Sequence, residues 1–253
     1  YEISLGLVGS EMCIRDSSWA YKINSGTTGS FVLSDWSFGG VNCTDGSSTI
    51  YDASCLYPIC QLKTYVPDDN FENYLEANGM GDGIPLNDYV LTSNINTVTN
   101  LTVSSLSISD LTGIEDFAAL SVLDAQGNGS LTSVDLSQNS LLSDARFNSC
   151  NLGSLDLSNN TQLTILTCGG NNLTALDVSN NSLLTTLDCW SNSISVLDLS
   201  QNTALTSINC NSNQIASLDF SNSQNMINIS CNSNQLTSLD AVSYTHLRAH
   251  ETE

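Results

Sequence analysis

The sequence predicts a repeat solenoid, mostly parallel β structure with a short helical cap at its N-terminal end. Three observations predict it. Asp135, Asp156, Asp177, Asp198, Asp219 and Asp240 recur at intervals of 21 residues. Cys168, Cys189, Cys210 and Cys231 recur at the same interval, with Phe147 one period earlier. Each period also holds two similar halves, such as LTALDVSNN (173–181) and LLTTLDCWSNS (183–193), both of which fit LxxLxLxxN. A fixed period of this length is the mark of a stacked-repeat architecture.

The two ends of the chain are set aside first. LVGSEMCIRDS (7–17) can be encoded by one strand of an oligonucleotide whose reverse complement encodes VSYTHLRAHE (242–251). That oligonucleotide resembles the adapter of transposase-based sequencing libraries. Residues 1–17 and 241–253 are therefore read as adapter-derived and excluded from fold reasoning. His246 and His250, the two histidines of the chain, fall in the excluded tail. The expected biological segment runs from Ser18 to about Asp240 and is open at both ends.

Residues 18–63 lack the period and read as the end of a preceding module plus a linker, with short strands and turns. Cys43, Cys55 and Cys60 sit here. In an oxidising compartment two of the three are expected to pair, leaving one free or seeking a partner upstream. Residues 64–119 read as an N-terminal cap and entry repeat. Asp68 or Asp69 can N-cap a short helix whose apolar face is Phe71, Tyr74 and Leu75, and Gly79 suits its C-terminal end. The loop NGMGDGIPLNDY (78–89) hints at a calcium loop, but Met80 and Tyr89 stand where such a loop needs oxygen ligands, so a cap loop is expected.

Residues 120–240 hold the repeats, about five turns. In an LxL stretch the flanking residues face one side and the middle residue the other. Leu173, Leu176, Val178, Leu184, Leu187 and Cys189 are thus expected inside, Asp177 and Asp188 outside. Strands are expected on two faces of the coil. Turns ~4.8 Å apart would bury a continuous apolar column, each buried Leu contributing roughly 1.5–3 kcal/mol. Asn160, Asn181 and Asn202 close one half of each turn. Asn171, Asn192, Asn213 and Asn234 close the other, with Cys150 in the first such slot. A buried amide both donates and accepts, so it can satisfy backbone groups where the chain leaves the strand.

At these residues the sequence resembles leucine-rich repeat proteins, in a 21-residue class with nested LxxLxLxxN and LxxLxCxxN halves. TYVPDDNFENYLEANGMGDGIPLNDYVLTSNINTVTNLTVSSLSISDLTGIEDFAALSVLD resembles the cap and entry repeats of the same family, so the likeness covers roughly 64–240. The resemblance implies a horseshoe-type solenoid, a binding surface on the exposed strand face, and the secreted or surface proteins of Bacteroidota. It also implies export with a C-terminal sorting domain.

Composition narrows the function. Residues 18–240 hold three basic residues (Lys22, Lys63, Arg146) and 21 acidic ones, a net charge of −18. Such a surface cannot neutralise phosphates, which argues against nucleic acid. Anionic membranes are disfavoured likewise, and no apolar run is long enough to insert. Cations and basic partners are favoured by steering. No histidine remains, so a Ser-His-Asp or Cys-His centre cannot be assembled. The carboxylates form a regular exposed ladder rather than a desolvated pair. Enzymatic activity is not expected in this segment.

The candidate sites follow. Cys168, Cys189, Cys210 and Cys231 lack histidine or CxxC company, so inert core thiols are expected rather than zinc or disulfides. No cofactor is expected. Calcium between Asp156, Asp177, Asp198 and Asp219, aided by Ser137, Ser158, Ser179 or Ser200, is the alternative to a solvated acidic edge. The slot before each Cys varies (Arg146, Thr167, Asp188, Asn209, Ser230). So does the slot after it (Asn148, Gly169, Trp190, Asn211, Asn232), whereas the other half is nearly uniform Asp and Ser. Varied outward slots suggest a ligand-binding face built on Arg146, Asp188, Trp190, Asn209, Asn211 and Asn232. Trp190 either stacks on a ligand or lies flat over its own repeat. The expected function is a non-catalytic extracellular or cell-surface module, binding a protein or glycan ligand on that face. The alternatives are a targeting module of a larger secreted enzyme and a calcium-stiffened stalk.

Overall fold

The computed structural model describes residues 62–240, together with four two-residue strands upstream. These are β1 (Leu7–Val8) with β2 (Glu11–Met12), and β3 (Tyr21–Lys22) with β4 (Trp36–Ser37), both pairs antiparallel. The expectations for Cys43, Cys55, Cys60 and the histidine-bearing tail lie outside the described residues.

From residue 62 the chain builds its cap. Strand β5 (Lys63–Tyr65) pairs antiparallel with β6 (Tyr89–Leu91), and helix α1 (Asp69–Ala77) lies between them in sequence. Asp68 is extended, and its Oδ1 accepts from the Asn70 and Phe71 N–H groups, both at 3.0 Å. That satisfies donors a helix start leaves orphaned. Phe71 and Leu75 are fully buried. At the other end Gly79 adopts φ +73, the Gly79 N–H reaches Glu76 O at 3.2 Å and the Met80 N–H reaches Leu75 O at 2.8 Å. This double bond through a left-handed residue is a Schellman ending. The second Asp68 oxygen accepts from Ser109 N, Ser109 Oγ and Asp110 N. One carboxylate therefore starts the helix and ties it to the next turn, where the Phe71 and Phe117 rings stack at 6.3 Å.

The 78–89 loop is organised by the protein's own donors. Glu76 accepts from the Asp82 and Gly83 N–H groups, and Glu72 from those of Asn87 and Asp88. Asp82 accepts from Ile84 N, Asn87 Nδ2 and, at 2.8 Å, Lys63 Nζ. A four-residue helix α2 (Thr92–Ile95) then leads into the repeats.

Seven three-residue strands form one parallel sheet: β7 (Asn100–Thr102), β8 (Val122–Asp124), β9 (Asp144–Arg146), β10 (Ile165–Thr167), β11 (Thr186–Asp188), β12 (Ser207–Asn209) and β14 (Asn228–Ser230). The register repeats Leu166, Leu187, Ile208 and Ile229 side by side, one period apart. Leu101, Leu123, Ala145, Leu166, Leu187 and Ile208 form a buried central row. Cys168, Cys189 and Cys210 are buried beside it, and Cys231 is partly exposed.

The second half of each turn departs from the expected two-faced pairing. Among the described residues on that side, only β13 (Ser217–Asp219) and β15 (Ser238–Asp240) pair, again in parallel. Elsewhere the N–H two residues on from each ladder aspartate is taken by that aspartate: Ser137, Ser158, Ser179 and Ser200 each donate at 2.9 Å. Local bonds of this kind compete with a ladder. Asp219 makes the same bond to Ser221 yet lies in β13, so the local bond weakens pairing without forbidding it. The apolar side chains are buried as on the other side, Leu157, Val178 and Leu199 being at most 2% exposed.

Each turn leaves the strand side through a left-handed residue: Gly127, Ser149, Gly170, Ser191, Ser212 and Ser233, with φ from 50 to 73. The next residue is Asn in every turn but one. Asn171 shows the pattern: Nδ2 donates to Phe147 O and Cys168 O, and Oδ1 accepts from Leu152 N. Asn192, Asn213 and Asn234 repeat it. The slot begins one turn before Cys150, at Asn128, which donates to Val103 O and Ala125 O. Cys150 keeps one of these bonds, from Sγ to Ala125 O at 3.3 Å.

Candidate functional site

The residues before and after the buried row of the seven-stranded sheet stand on its outer face, because alternate residues of a strand face opposite ways. Two columns result. One runs Asp124, Arg146, Thr167, Asp188, Asn209, Ser230, and these are direct partners in the register. The other, two residues on, runs Gln126, Asn148, Gly169, Trp190, Asn211, Asn232. All six residues predicted as ligand-binding are on this face. Asp124 and Gln126 extend the columns by one turn, and the varied slots of the preceding period would have shown them.

Arg146 is not a free cation. Its Nε and Nη2 grip both Asp144 oxygens at 2.9 and 2.7 Å. That pairing holds the guanidinium charged, pushing its pKa further up. The Asn column is partly self-satisfied. Asn148 Oδ1 accepts from Gly169 N and Asn211 Oδ1 from Asn232 N, both at 2.6 Å, and Asn209 Oδ1 accepts from Asn211 N. The amide oxygens are thus committed to the scaffold.

The centre of the face is the square formed by Thr167, Gly169, Asp188 and Trp190. The Trp190 indole lies against Gly169 and Gly170: a methyl group on Gly169 would overlap the ring, and one on Gly170 would fall 3.3 Å from Trp190 Cη2. Gly169 thus makes room for the indole. Trp190 is half-buried, and its ring lies over the glycines of the preceding turn. Asp188, expected outside, is half-buried here. Burial pushes its carboxyl up from the ordinary 3.8, partly offset by bonds from the Trp190 backbone and indole N–H groups. Its Oδ1 is buried without a hydrogen-bond partner, and so is Thr167 Oγ1 on the adjacent strand. A buried unsatisfied polar group costs roughly 1–3 kcal/mol. Among the described residues these two are the buried unpartnered side-chain atoms of the strand face; the others are the Oδ1 atoms of Asn139, Asn160, Asn181 and Asn202 on the opposite side.

The three most buried ladder thiols are held in the protonated form at neutral pH. Burial pushes the thiols of Cys168 and Cys210 up to about 12 and that of Cys189 well up. A thiolate is the reactive form. The ladder aspartates Asp156, Asp177, Asp198 and Asp219 are exposed, and the serine N–H bonds hold each carboxyl below the ordinary value. Among the described residues, Asp69, Glu72 and Asp88 are the one group of three or more metal-ligating side chains whose atoms lie within 4.8 Å of one another. It includes none of the ladder. A cavity of about 310 Å³ between the 110–115 and 133–138 turns is lined by Asp110, Glu115 and Asp135. Each of these already accepts a local backbone N–H.

Among solved structures, internalin C2 from Listeria monocytogenes matches with a TM-score of 0.51 at 16% identity, over 69% of this chain and 91% of that one. The leucine-rich repeat domain of APL1B matches with a TM-score of 0.50 at 18% identity, over 58% and 48%. The fold is that of a leucine-rich repeat protein. The functional domain of InlJ from Listeria monocytogenes, which includes a cysteine ladder, matches at 29% identity with a TM-score of 0.45, over 71% of this chain. The leucine-rich repeat chain here spans about half of that one, 49%. No family model and no curated protein matches the sequence. Among the described residues of this repeat chain, no helix is long and apolar enough to cross a membrane.

A further ladder, of hydroxyls that join successive turns just before the strands, went unnoticed in the sequence. Ser121, Ser143, Thr164, Thr185 and Thr206 each donate a hydroxyl to a carbonyl of the preceding turn, at 2.9–3.0 Å. These hydroxyls sit at intervals of 21–22 residues, so the same periodicity test would have found them.

Proposed function

We propose that this chain is a non-catalytic binding module that presents its seven-stranded face to a protein or glycan ligand, at a cell surface or outside the cell. The observation that carries this reading is the contrast between sides. One side repeats Asp-x-Ser with each carboxylate committed to its own turn. The other varies at every turn and holds Trp190 beside the unpartnered Asp188 carboxylate and Thr167 hydroxyl oxygens, whereas the unpartnered buried atoms of the aspartate side are amide oxygens of the repeated Asn139, Asn160, Asn181 and Asn202. A rigid strand face with an aromatic anchor and a few polar groups is the usual anatomy of a recognition surface. Residues 18–240 hold no histidine, so a Ser-His-Asp or Cys-His centre cannot be assembled from them, which favours a role without catalysis.

The test is a screen of the full chain against immobilised peptides and glycans, repeated with two variants. Trp190→Ala with Asn211→Ala alters the strand face; Asp156→Ala with Ser158→Ala alters the opposite side. The expected result is a ligand lost by the first variant and kept by the second. A ligand lost only by the second would move recognition to the aspartate side and overturn the reading.

A further inference from the structure

We propose that Thr167, Asp188 and Trp190 form a subsite for the guanidinium group of an arginine, carried by a basic segment of a partner protein. The inference rests on the strand face being the binding surface, and it names what the centre of that face takes.

Three observations converge. First, the unpartnered atoms, Asp188 Oδ1 and Thr167 Oγ1, belong to residues paired directly across β10 and β11. The two strands lie ~4.8 Å apart, so the two acceptors belong to neighbouring side chains of the same face. A guanidinium has five donors in a planar fork and no acceptor of its own, so it can serve both at once. Second, the Trp190 ring adjoins the same pair and presents a π-face on which a guanidinium stacks. Third, residues 62–240 hold 18 acidic and two basic side chains. Both basic groups are already paired, Lys63 with Asp82 at 2.8 Å and Arg146 with Asp144 at 2.7 Å. No resident cation among the described residues is left over to neutralise Asp188. The surrounding field draws a basic segment in. A neutral sugar could use the ring and the acceptors but would gain nothing from this charge.

Entry requires the indole to turn. It is seated on Gly169, which has no side chain to pin it, and lies beside Asp188, whose carboxyl it helps to hold down against the effect of burial. Turning off that seat uncovers the carboxylate and the threonine hydroxyl, and the freed ring then stacks on the incoming group.

The experiment titrates the full chain with three probes: a capped Gly-Ser-Arg-Gly-Ser peptide, its citrulline counterpart and a neutral β-linked glucose hexamer. Citrulline keeps the shape of arginine and removes its charge. The expected result is binding of the arginine peptide that weakens as salt rises, with the citrulline peptide roughly tenfold weaker. Asp188→Asn and Thr167→Val should each weaken the arginine peptide by roughly fivefold or more. Asp177→Asn removes the same charge from the opposite side and should change it by less than about twofold. Circular dichroism of each variant confirms that the fold is retained. Equal binding of the arginine and citrulline peptides overturns the proposal. So does equal weakening by Asp188→Asn and Asp177→Asn, which would assign the attraction to overall charge. Salt-independent binding of the hexamer, lost in Trp190→Ala, would overturn the arginine assignment in favour of a glycan and leave the strand-face reading standing. Failure of that reading shows separately, in the two-variant screen above.

Discussion

The two halves of each turn are near copies in sequence, LTALDVSNN beside LLTTLDCWSNS, and they bury equivalent apolar side chains. They differ in where their polar groups go. On the strand side the backbone of one turn bonds to the next: Cys168 N reaches Asp188 O, Cys189 N reaches Asn209 O and Cys210 N reaches Ser230 O, at 2.7–2.8 Å. On the aspartate side the side chain turns back on its own backbone, and the turns are joined by amides such as Asn181 Nδ2 to Leu157 O and Asn160 O. The difference shows how one repeat makes two surfaces. Where backbone bonds hold the turns together, the outward side chains are free to vary and can be given to a ligand. Where the outward side chain turns back to satisfy its own backbone, it is not free to vary.

The largest effects test whether the two halves share one core. Leu187→Ala on the strand side and Leu199→Ala on the other should each cost about 2–5 kcal/mol in urea unfolding. A markedly smaller loss for Leu199→Ala would mean that the aspartate side only covers the sheet. The amides come next. Asn171→Ala orphans the Leu152 N–H and the Phe147 carbonyl, whereas Cys168 O keeps its bond from Asn192 Nδ2. Asn181→Ala orphans no backbone group, since Leu157 O and Asn160 O keep the N–H groups of Asn160 and Leu163, and it removes an Oδ1 that is itself unpartnered. With each orphaned group costing roughly 1–3 kcal/mol, Asn171→Ala should be the more destabilising; the reverse order would break the distinction between the two amide columns.

Acid separates the halves more finely. Around Asp68 burial raises the carboxyl, but the bonds from Ser109, Phe71 and Asp110 outweigh it and leave the pKa below 3.8. The unfolded chain then takes up that proton first, so this stabilisation is complete above about 3.8 and is lost as pH falls through the lower folded value. Asp188 has the opposite sign. Its folded pKa lies above 3.8, so its ionisation weakens the fold as pH rises from 3.8 through that value. Asp188→Asn should therefore raise Tm at neutral pH, and the gain should vanish below pH 3.8. A gain that persists in acid would mean that Asp188 is not strained by its burial. The smallest effect belongs to the exposed ladder. Asp177→Asn should leave Tm at neutral pH within error, and millimolar calcium should shift neither wild type nor variant. A calcium-dependent rise in Tm that is lost in Asp177→Asn would instead support the stiffened stalk.

Most of the fold could be read from the period. Leu, Cys and Asn recur where a stacked turn needs an apolar row and a polar corner, and those needs are local, so they leave a mark at each repeat. The helix cap at Asp68 and the ending at Gly79 were legible for the same reason. The one-sided sheet was not. Both halves alternate alike, and which of them pairs across turns depends on competition between a ladder and a side chain returning to its own backbone, which is settled only when turns stack. The site divides the same way. Variation in the slots around the cysteines located the face, and Trp190 stood out within it. That Gly169 seats the indole, that Asp144 disarms Arg146, and that Asp188 and Thr167 are left side by side without partners are facts of register. Residues 21 apart in the chain become neighbours across a strand pair, and the sheet decides which of their atoms water can still reach.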